Sequence, residues 1–219
     1  MENQEKEYAV KAEFENLCGR AVACRSCFEE GLVAPSLIDL AQPRWVGPKY
    51  AAAERRVVAV MLNPGSGESR KDGANERFRK LIRDFANGSG SLDAVLGHQS
   101  RDMVNWNRGR FLPFYTDGLG LRMEAIAFAN VAWCGTRGNK YPVPMLEQCF
   151  ARHTGELIEV LKPDIVLLSG SRTHRFAQQV RQLLPGCRVI PMLHYAHRKG
   201  RVAQIRELQR ARGQIEARY

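Results

Sequence analysis

Four short apolar runs, each closed by polar or turn-forming residues, set the rhythm of the chain. The first, Val57-Val58-Ala59-Val60-Met61-Leu62, has no polar residue and is rich in valine, as a strand buried on both faces should be. Asn63-Pro64-Gly65 stops it, because proline lacks a ladder donor and glycine accepts positive φ. Glu124 to Trp133 reads as the second buried strand, and Ile165 to Leu168 as the third, introduced by Pro163-Asp164 and ended by Ser169-Gly170-Ser171. Cys187 to Leu193 is the fourth, followed by the polar loop His194 to Gly200.

Between the runs the period changes to that of a helix. Apolar spacing predicts helices over Tyr8 to Gly19, a short one over Leu32 to Leu40, and others over Met145 to Leu161 and Thr173 to Leu184. Asn75 to Phe85 is amphipathic, with Phe78, Leu81, Ile82 and Phe85 on one face. The tail from Arg201 reads as a basic, solvated surface helix, and His98 to Gly120 as an irregular stretch mixing aromatic and basic residues. Buried strands alternating with helices predict an α/β fold: a three-layer α/β/α sandwich around a four-stranded parallel sheet. The loops after strands one, two and four should then meet at one sheet edge, where open α/β sheets carry their chemistry. No repeat or linker divides residues 1–219, so a single domain is expected, with 1–45 an amino-terminal extension.

Charge narrows the class of partner. Lys and Arg number 33 against 23 Asp and Glu, a net charge of +10. Such a balance favours a polyanion, most commonly nucleic acid. No apolar run approaches the roughly 18 residues of a membrane span, and the first residues, Met-Glu-Asn-Gln-Glu-Lys-Glu, are unlike a signal peptide. A cytoplasmic monomer is the expectation. In a reducing compartment the six cysteines point away from disulfides and toward metal. Cys24 and Cys27 form a Cys-x2-Cys pair, and Cys134 and Cys149 bracket a second loop. Four thiolates from two places can hold zinc or an iron–sulfur cluster and pin the extension against the loop after strand two. A redox dithiol at Cys24 and Cys27 is a further reading. Cys18 could substitute for a ligand, and Cys187, at a strand start, reads as a small buried hydrophobe.

Asn130-Val131-Ala132-Trp133-Cys134, then Gly138-Asn139, Pro142, Pro144, Glu147 and Cys149, then Leu161-Lys162-Pro163-Asp164-Ile165-Val166 resemble the uracil-DNA glycosylase superfamily. The match is closest to its iron–sulfur-containing branch, which also carries a Cys-x2-Cys near its amino terminus. The resemblance runs from about Cys24 to Lys199. Two motifs depart from that branch. Met61-Leu62-Asn63-Pro64-Gly65 stands where it usually reads Gly-Glu-Ala-Pro-Gly, and is similar instead to the mismatch-specific and single-strand-selective enzymes. His194-Tyr195-Ala196-His197-Arg198 stands where most of the superfamily has His-Pro-Ser or His-Pro-Ala and a wedge residue.

The resemblance implies excision of uracil from single- or double-stranded DNA after the base is flipped from the stack. Asn63 would align a water, and His194 would donate a hydrogen bond to the departing base. Asn130 would read the pyrimidine edge with one donor and one acceptor. Leu62, Gly65, Phe78 and His197 would contact the base, with Phe78 or an aromatic between His98 and Tyr115 as its floor. Ser66, Ser171, Arg198 and Lys199 would hold the DNA. Cys24, Cys27, Cys134 and Cys149 would hold a structural 4Fe-4S cluster, with zinc as the alternative. A glycosylase for another base such as hypoxanthine, or a metal-bearing DNA-binding protein without catalysis, are the rival readings.

Overall fold

In the structure, a computed structural model describing residues 2–64, 73–197 and 200–217, alternate residues of the four apolar runs face opposite sides of one sheet. Its strands are β1 (Val57–Met61), β2 (Ile126–Asn130), β3 (Ile165–Ser169) and β4 (Arg188–Met192), in the order β2-β1-β3-β4 and all parallel. Val58, Val60, Ala127, Ala129, Val166 and Leu168 bury one face. Against it lie α1 (Glu2–Ala23), α3 (Ala74–Ala86), α4 (Leu92–Met103), α6 (Val143–Cys149), α7 (Gly155–Leu161) and α8 (Ala177–Leu183). Val57, Ala59, Met61, Phe128, Leu167 and Ile190 bury the other face beneath α5 (Phe111–Thr116) and α9 (Arg201–Glu216). The expected three-layer sandwich is present, because side-chain period two within buried strands demands cover on both sides.

Topology sets where a site can form. The chain leaves β1 to reach β2 on one side, then returns to β3 on the other. This reversal opens a crevice beyond the carboxyl ends of β1 and β3. Asn63, Asn130 and His194 all sit at carboxyl ends of strands. No helix among the described residues is long and apolar enough to cross a membrane.

Three local expectations need correction. Leu32 to Leu40 is not helical. Apart from the single turn α2 (Ser26–Glu29), the extension after α1 runs as a strap antiparallel to β2 and the loop beyond it. It pairs Pro35 with Thr136, Ala41 with Cys134 and Val46 with Ala127. Gln42 N donates to Trp133 O at 2.9 Å, and Phe128 N to Trp45 O at 2.8 Å. The edge of β2 needs partners for its backbone groups, and Pro35 cannot donate within a helix. The stretch His98 to Gly120 is also more regular than expected. Its start belongs to α4, and α5 places Phe111 and Tyr115 one turn apart on the sheet. Finally, Met145 to Leu161 is interrupted by a π turn over Phe150–Thr154.

At the amino edge, Asp164 ties β3 to β1. Its Oδ2 accepts from the Arg56 backbone N (2.8 Å) and Nε (3.2 Å), and its Oδ1 from Nη2 (3.0 Å). Burial alone would raise the Asp164 pKa, but the Arg56 hydrogen bonds outweigh it and hold it below the ordinary value. A depressed carboxylate contributes stability above its unfolded pKa and loses it as pH falls through the folded value. Asp164→Ala should therefore cost about 1 kcal/mol at neutral pH, discounted for partial exposure. In acid below both pKa values the two proteins should show equal urea midpoints.

Candidate active site

Asn63 follows β1 where the strand has no further ladder partner. Met61 O accepts from Val131 N (2.8 Å) and Leu62 O from Ala132 N (2.9 Å), so half-buried Leu62 is held through its backbone. Asn63 Nδ2 donates to Asn139 Oδ1 at 2.8 Å. Asn139 lies in a tight turn after β2 with φ +56°, a conformation asparagine tolerates better than most residues. Thr136 Oγ1 closes that turn by donating to Lys140 O (2.7 Å). Tyr141 stands beside it: burial raises its pKa, and hydrogen bonds with Thr136 and Asn63 oppose the rise. The Arg172 guanidinium, from the loop after β3, donates to Tyr141 O. The Gly138-Asn139 insert thus anchors Asn63.

Asn130 ends β2 and is 1% exposed. With its amide turned to satisfy its neighbours, Oδ1 accepts from Arg44 Nε (2.6 Å) and Nη2 (3.1 Å), and Nδ2 donates to Ala129 O (3.2 Å). Arg44 comes from the strap, is itself 5% exposed, and lies 5.4 Å from the centre of the Trp106 ring. Asn130 is therefore not a free amide with one donor and one acceptor to offer, as the sequence implied. Both lone pairs of its oxygen face arginine.

His194 follows β4. Its Nδ1 accepts from Ala196 N at 3.2 Å, so the neutral ring carries its proton on Nε2. Burial lowers its pKa, and the neighbouring His197 lowers it further. Gly170, at φ +107°, lets the loop after β3 close on it: a Cβ there would meet His194 Cβ at 3.4 Å. Tyr195, in the place the resemblance reserves for proline, inserts its ring edge-on against Phe111 at 4.9 Å. It therefore anchors the turn by packing. His197 N donates to His194 O (2.8 Å), while His197 Nε2 is buried without a hydrogen-bond partner among the described residues. Ser171 is exposed just beyond β3. Gly65, Ser66, Arg198 and Lys199 lie outside the described residues.

Phe78 takes a packing role. It is 8% exposed and stacks on His98 at 5.4 Å and 13°, joining α3 to α4. The aromatic side chains at the carboxyl edge are instead Trp106, Phe111, Phe114, Tyr115 and Tyr195, in mutual ring contact. Arg44 joins the parts of the site electrostatically, since its charge is felt by both Tyr195 and Tyr141. Sequence reading missed Arg44 and Tyr141. A single arginine in a proline-flanked loop has no periodic signal, and only the strap's path brings it to β2.

The four predicted ligand cysteines come into one neighbourhood. Burial raises the Cys134 thiol, with further contributions from Cys149, Cys27 and Cys24. Burial also pushes Cys149 up to about 12, again reinforced by Cys27 and Cys24. Cys27 Sγ donates to Gln148 Oε1 (3.0 Å), and Cys149 Sγ accepts from Trp133 N (3.3 Å). Cys18 and Cys187 are buried elsewhere and feel acidic residues, Glu15 and Asp164, rather than the other thiols. Six free thiols and no disulfide are present. Among the described residues, no group of three or more His, Cys, Asp or Glu side chains could hold a metal ion as it stands. The donor set nevertheless suits a thiophilic centre: Cys27, Cys134 and Cys149, whose thiols burial holds against ionisation, need a cationic partner to become thiolates. Compared with known proteins, the chain matches no family model and no individual curated protein.

Proposed function

We propose that this protein is a DNA glycosylase that removes uracil by hydrolysing its N-glycosidic bond. The observation that carries the reading is His194: a shielded imidazole whose Nδ1 is engaged and whose Nε2–H meets no acceptor among the described residues, at the sheet edge that also carries Asn63. Cleavage leaves the C1′–N1 electron pair on the base. His194 Nε2–H would stabilise the charge growing on the uracil oxygen. Asn63, held by Asn139, would align water toward C1′; an amide is a poor base, but an oxocarbenium-like sugar needs alignment more than basicity. Water supplies hydroxyl to C1′ and its proton ends on the base. The net charge of +10 suits a phosphate-backbone partner. Cys24, Cys27, Cys134 and Cys149 would hold a 4Fe-4S cluster, which would supply a rigid cross-link between extension and sheet.

Purified protein incubated with single- and double-stranded oligonucleotides containing uracil should release free uracil and leave alkali-cleavable abasic product. Iron and acid-labile sulfide should copurify. Absence of released base on both substrates would overturn the assignment. Zinc without sulfide would replace the cluster but leave the chemistry standing.

A further inference from the structure

We propose that Arg44, acting through Asn130, supplies the positive counter-charge to the base as it departs. The inference rests on the glycosylase reading and deepens it. Three features of the structure lead to it.

First, Arg44 is a buried cation that pairs with no carboxylate among the described residues, and its company is Asn130, Trp106, Tyr141 and Tyr195. Burial lowers its pKa to about 10, so it remains charged at neutral pH. An isolated buried charge is costly to keep, and other arginines of this chain, Arg56 and Arg79 among them, do pair with carboxylates. Second, its two hydrogen bonds occupy both lone pairs of Asn130 Oδ1. Asn130 and Arg44 together can then present only N–H groups, since guanidinium has no acceptor. Third, Asn130 pairs with Met61 at the β1–β2 seam, two residues before Asn63.

A donor-only pair suits an acceptor-only partner. Neutral uracil offers an imide N–H between two carbonyls, and that N–H finds no acceptor here. Once the C1′–N1 bond breaks with its electron pair staying on the base, the charge spreads onto the carbonyl oxygens. Fixed donors backed by a full positive charge then interact more strongly with the transition state than with bound substrate, as acceleration requires. Water supplies hydroxyl to C1′, and its proton ends on the base.

The test compares uracil with 5-fluorouracil in the same oligonucleotide, since fluorine makes the leaving base more acidic and less dependent on outside stabilisation. In single-turnover assays, Arg44→Met should slow uracil release more than 5-fluorouracil release. The 5-fluorouracil-to-uracil rate ratio should rise by about tenfold, one lost electrostatic contact. Arg44→Gln keeps an N–H for Asn130 Oδ1 without the charge and should show the same rise; it carries the test should Arg44→Met not fold. Arg44→Lys should keep the parental ratio. Equal slowing of both bases in the folded variants, or a parental ratio in Arg44→Gln, would overturn the role and leave Arg44 a holder of the strap. A parent inactive on both bases would instead refute the glycosylase reading.

Discussion

Replacing His194 by alanine should slow uracil release by about 10²–10³-fold, the usual loss for one preorganised donor to a developing anion. The loss should fall on the single-turnover rate, with DNA binding nearly unchanged, because phosphate contacts govern affinity. Asn63→Ala should slow the reaction comparably through lost water alignment. The pH profile supplies an independent check. Burial first, and His197 second, lower the His194 pKa. The ring therefore gains its proton at lower pH than an ordinary histidine and keeps Nε2–H as a neutral donor above that point. The acid limb of the rate should therefore lie below the pH at which an ordinary histidine titrates. A rate that follows an unperturbed histidine, or a His194→Ala variant as fast as the parent, would remove His194 from the mechanism.

Phe111→Ala should destabilise the protein by about 3–5 kcal/mol, the cost of emptying a buried phenylalanine site. Phe111 is fully buried and its ring touches Trp106, Tyr115, Phe128 and Tyr195 at 4.9 to 5.2 Å. Few surrounding groups can collapse into the hole, since Phe128 belongs to β2 and Tyr195 to the His194 turn. Against a typical total of about 5–15 kcal/mol, this is a large fraction, and a shifted urea midpoint at unchanged slope would report it. Activity should drop beyond the loss of folded protein, because Tyr195 would lose the edge-on contact that holds its turn. Phe111→Leu, closer in volume, should recover part of both.

Tyr195 marks a boundary between what is legible locally and what is not. As a departure from the expected proline it puts the histidine motif in question, yet its ring shows how the turn is held without proline. Phe78 runs the other way: its helical spacing already argues for core packing, and its stack on His98 agrees. The cysteine set was readable as a pattern, because Cys-x2-Cys and the second pair stand out without knowledge of the fold. Their common neighbourhood depends on the extension folding back against β2.

The chain's own order of residues determined the four strands, the breaks that close them and the three-layer sandwich. It also placed Asn63, Asn130 and His194 at strand ends, because two-residue and helical periods are local properties of neighbouring side chains. Tertiary structure alone decided that Leu32 to Leu40 runs as a strap and that Asn130 spends its oxygen on Arg44. It alone decided that the aromatic edge is built from Trp106 to Tyr115 with Tyr195. Those outcomes depend on which distant backbone and side-chain groups remain unpaired once the sheet has formed, and burial obliges each of them to find a partner.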